Sequence, residues 1–198
     1  MIRLGVVGYG SRISGMVSGP FRSVEPDLRV VGVVDPDEAG VRQRLAEIDR
    51  EDVVFYESLE SMVRKAAPDA LAIGTRCTLH STYAVKAAAF DLPLFLEKPV
   101  AISTRQAAAL ERAFSDSRCE VVASFPLRVS PLCQLARQYV REGAVGSPVH
   151  VTALNYVPYG TGQDLHPHRG GNPERVRLSG RQGIGGKGPF RNCSTAAQ

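Results

Sequence analysis

The chain contains no tryptophan, and its four cysteines, Cys77, Cys119, Cys133 and Cys193, show no C-x-x-C spacing. Neither a zinc ribbon nor a disulfide framework is indicated, so they read as free or incidental thiols and no metal site is expected. No apolar run approaches the about 20 residues that cross a bilayer, which argues against a membrane partner. The N-terminus lacks the basic, apolar and small-residue zones of a signal peptide, so a cytoplasmic location is the default expectation. A basic helix and a patch of cations interleaved with aromatics are also missing. The net charge of +4 comes entirely from residues 160–198, with six Lys/Arg against two Asp/Glu, while residues 1–159 carry 18 of each. Nucleic-acid binding is therefore not expected, despite a basic pI.

That last segment is itself poor in what folding needs. Residues 160–198 hold nine Gly, three Pro and only eight apolar residues, with no period of 2 or 3.6. Such a stretch cannot bury enough surface to offset its ordering entropy, and a disordered tail is expected.

What is present begins at once. Ile2-Arg3-Leu4-Gly5-Val6-Val7 reads as a strand, followed by Gly8-Tyr9-Gly10-Ser11-Arg12-Ile13. The two glycines fit a dinucleotide fingerprint, the first permitting a tight turn and the second a close approach of pyrophosphate. Ile13, Met16 and Val17 follow at helical spacing, so the turn opens a helix. The third glycine of the fingerprint is replaced by Ile13, which questions how closely this helix can pack on its strand. A second strand, Arg29 to Val34, ends in Asp35, 22 positions after Ile13. There a carboxylate is placed to accept from ribose hydroxyls, and it would repel a 2′-phosphate, favouring NAD over NADP. Asp35-Pro36-Asp37 is equally a good turn signal, so a helix cap or turn role stands beside the ribose role.

The alternation continues. Val41, Leu45 and Ile48 mark a helix, Val53–Phe55 a short strand, and Leu59, Met62 and Val63 another helix. Ala70–Ile73 reads as a buried strand ending at Gly74-Thr75, and His80, Tyr83, Ala84 and Ala87 as a helical stripe. The apolar run Leu94-Phe95-Leu96 precedes Glu97-Lys98-Pro99, placing an acid and a base at a strand's carboxyl end, where open α/β sheets bind ligands. Pro99 disfavours the helical region for Lys98 and holds it extended. Ser103 with Gln106 forms a capping box before a helix carrying Ala107, Leu110 and Phe114, and Glu120–Phe125 reads as a sixth strand. The pattern predicts an α/β fold, a Rossmann-type doubly wound parallel sheet over residues 1–125. Residues 126–159 read as the start of a truncated second, α+β domain. They offer a helix capped by Ser130 and Pro131, with Leu132, Leu135, Ala136, Tyr139 and Val140 on its apolar face, closed at Gly143. Pro148 to Val157 then reads as a strand with one buried face and no partners, an edge open to self-association into a homo-oligomer.

With Glu97-Lys98-Pro99 behind the Gly8-Tyr9-Gly10 turn and Asp35, the chain resembles the glucose-fructose oxidoreductase and inositol dehydrogenase (Gfo/Idh/MocA) family. Gly74-Thr75-Arg76-Cys77-Thr78-Leu79-His80 is similar to that family's loop after the fourth strand, without its usual prolines or asparagine but with the histidine. Ser124-Phe125-Pro126-Leu127-Arg128 and Gly143–Val149 are similar to its exit from the sixth strand and its entry to the second-domain sheet. The likeness runs from residue 2 to about residue 159.

The resemblance implies NAD(P)-dependent oxidation of a sugar or polyol hydroxyl, with Gly8, Tyr9, Gly10, Ser11, Arg12 and Ile13 holding pyrophosphate and Asp35 the adenosine ribose. Gly74, Thr75 and His80 would border the cofactor, Glu97 would contact the nicotinamide ribose, and Arg128 would border the site. Lys98 would be the catalytic residue, reaching that ribose and the substrate hydroxyl. For His80, a satisfied histidine on a helix face is the competing reading. The family's catalytic Asp-and-His pair has no counterpart, because Asp164, His166 and His168 lie in the Gly-rich tail and read as incidental. A truncated oxidoreductase is thus expected, the alternative being a dinucleotide-binding remnant without turnover.

Overall fold

A computed structural model describes residues 1–154 and divides them into two compact units, Met1–Pro126 and a second that starts at Leu127. The first unit is a six-stranded sheet in the order β3-β2-β1-β4-β5-β6, every pairing parallel. Its strands are β1 (Arg3–Val7), β2 (Arg29–Val34), β3 (Val54–Phe55), β4 (Ala70–Ile73), β5 (Leu94–Leu96) and β6 (Val121–Ala123). Strand order reverses between β1 and β4, which opens a crevice at their carboxyl ends. This is the predicted Rossmann-type, doubly wound fold.

The alternation of the strands, interrupted in β2 by a one-residue slip that puts Val30 and Val33 on one face, divides their side chains between two apolar layers. Leu4, Val6, Val30, Val33 and Ala72 pack with Ile13 and Val17 of α1 (Ser11–Met16) and its continuation, and with Val41 of α3 (Glu38–Arg44). Val7, Leu71, Ile73, Leu94 and Leu96 pack on the other face. Their partners include Leu59 and Met62 of α4 (Leu59–Ala66), Ala84 and Ala87 of α5 (His80–Ala87), and Leu110 and Phe114 of α6 (Thr104–Ser115). The register between β1 and β2 slips by one residue at Leu4/Gly5, so Gly5 faces Gly32. Met62 fills the room these two leave: a β-carbon at Gly32 would sit 2.7 Å from its Cγ, and one at Gly5 3.0 Å from its Cε.

α1 runs on through a π-helical turn, Val17–Phe21, into the short α2 (Arg22–Val24). Pro20 lies inside that wider turn, where its missing N–H removes one donor from the helical ladder. Arg22 then reaches the fully buried Asp49, donating through Nη2 to both carboxylate oxygens at 2.6 and 2.7 Å, while Val30 N–H donates to Oδ1 at 3.0 Å. A buried carboxylate needs this full complement of donors, since removing one partner of such a pair costs roughly 3–5 kcal/mol.

Three local expectations are corrected. Ile48 does not extend the α3 stripe: Leu45 ends that helix in an extended conformation, and Ile48, on a separate 3-10 turn, is exposed. In the capping box Ser103 Oγ accepts from Gln106 N–H at 3.2 Å as expected. Gln106 Oε1 in turn accepts from Ile102 N–H, one residue earlier than the box predicts. The strand expected from Pro148 is absent over residues 148–154, which carry no regular structure; Val149 is 96% and Val151 81% exposed. Alternation alone cannot make a strand, because its N–H and C=O groups need a neighbouring ladder, and no described residue provides one.

The rest of that expected strand, residues 155–157, lies outside the described residues. So does the tail at 160–198 with Asp164, His166 and His168.

The second unit contributes α7 (Pro131–Arg141), with Ser130 Oγ accepting from Cys133 N–H and Pro131 in the first turn as read from the sequence. Gly143 follows at φ +70°, the left-handed geometry that ends helices. Leu132, Leu135, Tyr139 and Val140 lie on α7 as predicted but stand exposed. Cys119 and Cys133 are free thiols. Cys119 donates to Leu92 O, and burial pushes its pKa up. Among the described residues no helix is long and apolar enough to cross a membrane.

Candidate functional site

The crevice is built around the turn after β1. Gly8 has φ +81°, and a β-carbon there would lie 2.6 Å from Thr75 N, so only glycine fits. The turn is tied to both neighbouring strands: Gly8 N–H donates to Val34 O, and Gly74 N–H to Val7 O, each at 2.9 Å. Gly10, which begins α1, differs. Among the described residues a β-carbon at Gly10 would meet nothing within 4 Å, so packing there does not demand glycine. A glycine at a helix entrance lets a ligand approach the backbone closely. Ser11 and Arg12 are exposed on the same turn.

Two of the expected pyrophosphate residues act otherwise through their side chains. Tyr9 is 1% exposed, its ring packed in the apolar layer, and only its backbone reaches the site. Desolvation, and next the charge of Asp49, push its hydroxyl up to about 12, against the opposing effects of Arg22 and Arg44. Ile13, in place of the third glycine, is fully buried against Gly74. Close helix–strand packing is preserved by moving the missing β-carbon from the helix to the facing loop.

Asp35 is half-buried. Oδ2 accepts from Tyr9 N–H and Oδ1 from Asp37 N–H, each at 2.9 Å. The second contact is the turn role set out above, and the first fastens the carboxylate to the glycine turn. The helix cap is Asp37, which accepts from Gly40 N–H at 3.0 Å. Arg44 reaches back from α3 to Tyr9 O at 3.1 Å and Asp37 at 3.4 Å.

Across the crevice, Glu97 is 4% exposed at the end of β5, its N–H donating to Ile73 O at 3.0 Å. Its Oε1 accepts from Arg12 Nε at 2.8 Å and Ser124 Oγ at 3.0 Å, and its Oε2 from Lys98 N–H at 3.3 Å. Lys98 is exposed, the Lys98–Pro99 peptide is cis, and among the described residues no carboxylate pairs with the Lys98 ammonium. His80 is 2% exposed, with Nδ1 2.8 Å from Pro99 O and Nε2 3.0 Å from Thr75 O. Each ring nitrogen thus lies within hydrogen-bond distance of a backbone carbonyl, and a neutral imidazole, with one N–H, donates to one of the two. His80 stands between the Thr75 loop and the Pro99 turn. Thr75 is half-buried beside Gly8. Arg128 lies in the second unit, exposed on the short Pro126–Val129 turn.

Sequence assigned no role in the site to Ser124, noted only as the start of the segment leaving the sixth strand, or to Arg44, noted only as a basic residue on the helix after Asp35. For Ser124 a signal existed: it is the first polar residue after the apolar run of β6, at a strand's carboxyl end. Arg44 had none, since an arginine in a helix's last turn is ordinary. Among the described residues no cluster of His, Cys, Asp and Glu could hold a metal ion.

Comparison with known proteins agrees with this geometry. A family model described as "Oxidoreductase family, NAD-binding Rossmann fold" (GFO_IDH_MocA) matches residues 2–125. Inositol 2-dehydrogenase of Rhizobium meliloti (strain 1021) is 25% identical over 170 residues, covering 86% of this chain and 50% of that protein. A 2,7-anhydro-N-acetylneuraminate hydratase of Escherichia coli (strain K12) is 26% identical over 147 residues, 74% of this chain and 37% of its own length. The chain thus spans half or less of these two relatives. Among solved structures, myo-inositol dehydrogenase from Lactobacillus casei in complex with NAD(H) and myo-inositol superposes with a TM-score of 0.65 at 20% identity, over 75% of this chain and 43% of that one. The WlbA dehydrogenase from Bordetella pertussis in complex with NADH and UDP-GlcNAcA gives 0.63 at 23% identity, over 73% and 43%. At these identities the two structures show a shared fold.

Proposed function

Since the chain belongs to the Gfo/Idh/MocA oxidoreductase family, we propose that its first unit binds a nicotinamide dinucleotide, NAD in preference to NADP, for oxidation of a sugar or polyol hydroxyl. The observation that carries the reading is the contrast between Gly8, required by its own backbone, and Gly10, required by no packing among the described residues. The residues present fit the group: the turn gives pyrophosphate an approach to backbone N–H groups, and Asp35 stands at the end of β2 for the adenosine ribose. Its negative charge disfavours a 2′-phosphate. Glu97, with an oxygen held only by the 3.3 Å bond from Lys98 N–H, has acceptor capacity for the hydroxyls of the second ribose.

A bound nicotinamide would supply the hydride acceptor. The chain's own contribution is the Lys98 ammonium, placed beyond the carboxyl end of β5 with no carboxylate partner among the described residues. Donating to the substrate's hydroxyl oxygen, it would stabilise negative charge as the hydroxyl proton passes to solvent, and so lower the cost of oxidising the carbon that bears the hydroxyl. The polyols and nucleotide sugar named with the related proteins support that substrate class. Arg128 bordering the site belongs to the same proposal.

Titration calorimetry of the purified protein with NADH and NADPH, beside an absorbance assay of NAD reduction with inositols and hexoses, tests the reading. NADH binding with NADPH weaker by about tenfold or more is expected, of the size of one charge-assisted contact. Absence of dinucleotide binding would reject the function. Binding without turnover across the polyol panel would favour the non-catalytic alternative for these 198 residues.

A further inference from the structure

Arg12 sits on the glycine turn, where the backbone faces pyrophosphate, yet its side chain points elsewhere. The guanidinium crosses to an element 85 residues away and donates through Nε to Glu97 Oε1 at 2.8 Å. Ser124, at the end of the adjoining strand, donates to the same oxygen at 3.0 Å, with Arg12 Nη2 3.5 Å from the serine hydroxyl. Two turns, after β1 and β6, therefore converge on one oxygen of a carboxylate that the turn after β5 carries and that is only 4% exposed. The other oxygen has a single long bond, from Lys98 N–H at 3.3 Å. An ionised carboxylate offers about four lone-pair positions, so Oε1 is saturated by protein donors while Oε2 keeps capacity.

We infer that Arg12 and Ser124 form a positioning pair that locks Glu97 through Oε1, so that Oε2 is presented to the hydroxyls of the nicotinamide-side ribose. The Arg12 side chain serves that end of the cofactor rather than the phosphates, which are left to the turn's backbone. This inference rests on the dinucleotide reading. The geometry suits arginine alone: Nε and Nη2 lie in one rigid plane and reach the carboxylate and hydroxyl together, whereas lysine brings one point charge on a flexible stem. With Arg12 removed, Glu97 would hold a buried charge without its counter-ion, and its carboxyl would turn away from the crevice.

The test uses two ligands on the full chain. ADP carries the diphosphate without the second ribose, and NADH carries both. In calorimetric titrations Arg12→Gln should weaken NADH about tenfold and leave ADP within about twofold. Arg12→Lys should recover little of the loss, and Ser124→Ala should weaken NADH about threefold with ADP unchanged. In a Glu97→Gln background, Arg12→Gln should add less than about twofold, because the group it positions is already altered.

Equal loss of ADP and NADH in Arg12→Gln would make Arg12 a phosphate ligand and overturn the inference, as would undiminished NADH binding. Should Arg12→Gln fail to fold, Ser124→Ala decides: an unchanged ratio of NADH to ADP affinity overturns the proposal. Unmodified protein that binds neither ligand would reject the dinucleotide reading and this inference with it. An unmodified protein that binds both, with one ratio across all variants, would reject the inference alone.

Discussion

Ile13 occupies the space a β-carbon would need at Gly74, where such an atom would lie 2.6 Å from Ile13 Cδ1. The glycine that a dinucleotide fingerprint places on the helix has, in effect, been moved to the loop after β4. The helix keeps its distance from the sheet, and the crevice keeps its shape.

Gly74→Ala should therefore destabilise the fold by about 1–3 kcal/mol through overpacking. Ile13→Ala should cost about 2–5 kcal/mol through the cavity it leaves. The double variant should be less destabilised than the two losses added, since each change makes room for or fills the other. Urea unfolding of the four proteins measures the coupling, and simple additivity would dismiss the compensation.

Tyr9 gives an alkaline signature. Its hydroxyl is pushed up to about 12 from the ordinary 10.0, chiefly by burial. The unfolded chain releases this proton near pH 10, whereas the folded chain retains it to about pH 12. Stability from the buried neutral phenol is complete below pH 10 and is lost as pH climbs from 10 to 12. Two units correspond to about 3 kcal/mol over that interval. Tyr9→Phe should flatten this part of the stability profile, measured by denaturant unfolding at pH 9 to 12. An unchanged slope would mean that other groups govern the alkaline limb.

Asp35→Ala should weaken NADH while narrowing its margin over NADPH, because the substitution removes both a ribose acceptor and a repulsive charge. It also takes away the acceptor for Tyr9 N–H at 2.9 Å, so a loss of about 1–3 kcal/mol in stability should accompany it. Calorimetry with both cofactors checks the first effect and thermal unfolding the second. A variant as selective as the unmodified protein would take specificity away from Asp35.

These relationships mark where sequence was informative. The strands were legible because each is a short apolar run ending at a turn, and parallel order followed from their alternation with helices. Glu97, Lys98, Gly8 and Asp35 were legible because strand ends are where such folds bind ligands. The Ile13–Gly74 exchange was not, because it joins positions 61 residues apart in sequence whose contact exists only after β1 and β4 pair. His80 could be read as a ligand-facing or a satisfied histidine, and its neighbours, the Thr75 and Pro99 carbonyls, come from two loops that sequence alone does not bring together. The false strand at 148–154 shows the converse: alternation names a face, but a neighbouring strand must exist before that face is used.

Lys98 separates chemistry from folding. It is exposed and has no carboxylate partner among the described residues, so Lys98→Ala should leave thermal stability within about 0.5 kcal/mol of the original. In any form of the protein that oxidises a polyol, the same change should lower kcat by about 10²–10⁴, the usual worth of a group that assists proton transfer. Steady-state kinetics with a saturating polyol provides the measurement. Turnover within a few-fold of the original would remove Lys98 from the reaction.

Gly8 and Gly10 should fail in different ways although they are two residues apart. At Gly8 an alanine meets positive φ and the backbone of Thr75 at 2.6 Å, and backbone cannot step aside as a side chain can. Gly8→Ala should therefore cost stability, by about 1–3 kcal/mol or more, and dinucleotide binding with it. At Gly10 the added methyl group meets no protein atom within 4 Å. Gly10→Ala should fold as well as the original, or slightly better through reduced freedom of the unfolded chain. Its β-carbon would nonetheless stand between the α1 entrance and an approaching pyrophosphate, so NADH and ADP should both bind at least about tenfold more weakly. Thermal unfolding and calorimetry on the two variants give four numbers, and the expected pattern is loss of both properties at Gly8 and of binding alone at Gly10. Undiminished binding by Gly10→Ala would show that the ligand does not approach this turn, and would remove the main support for the proposed function.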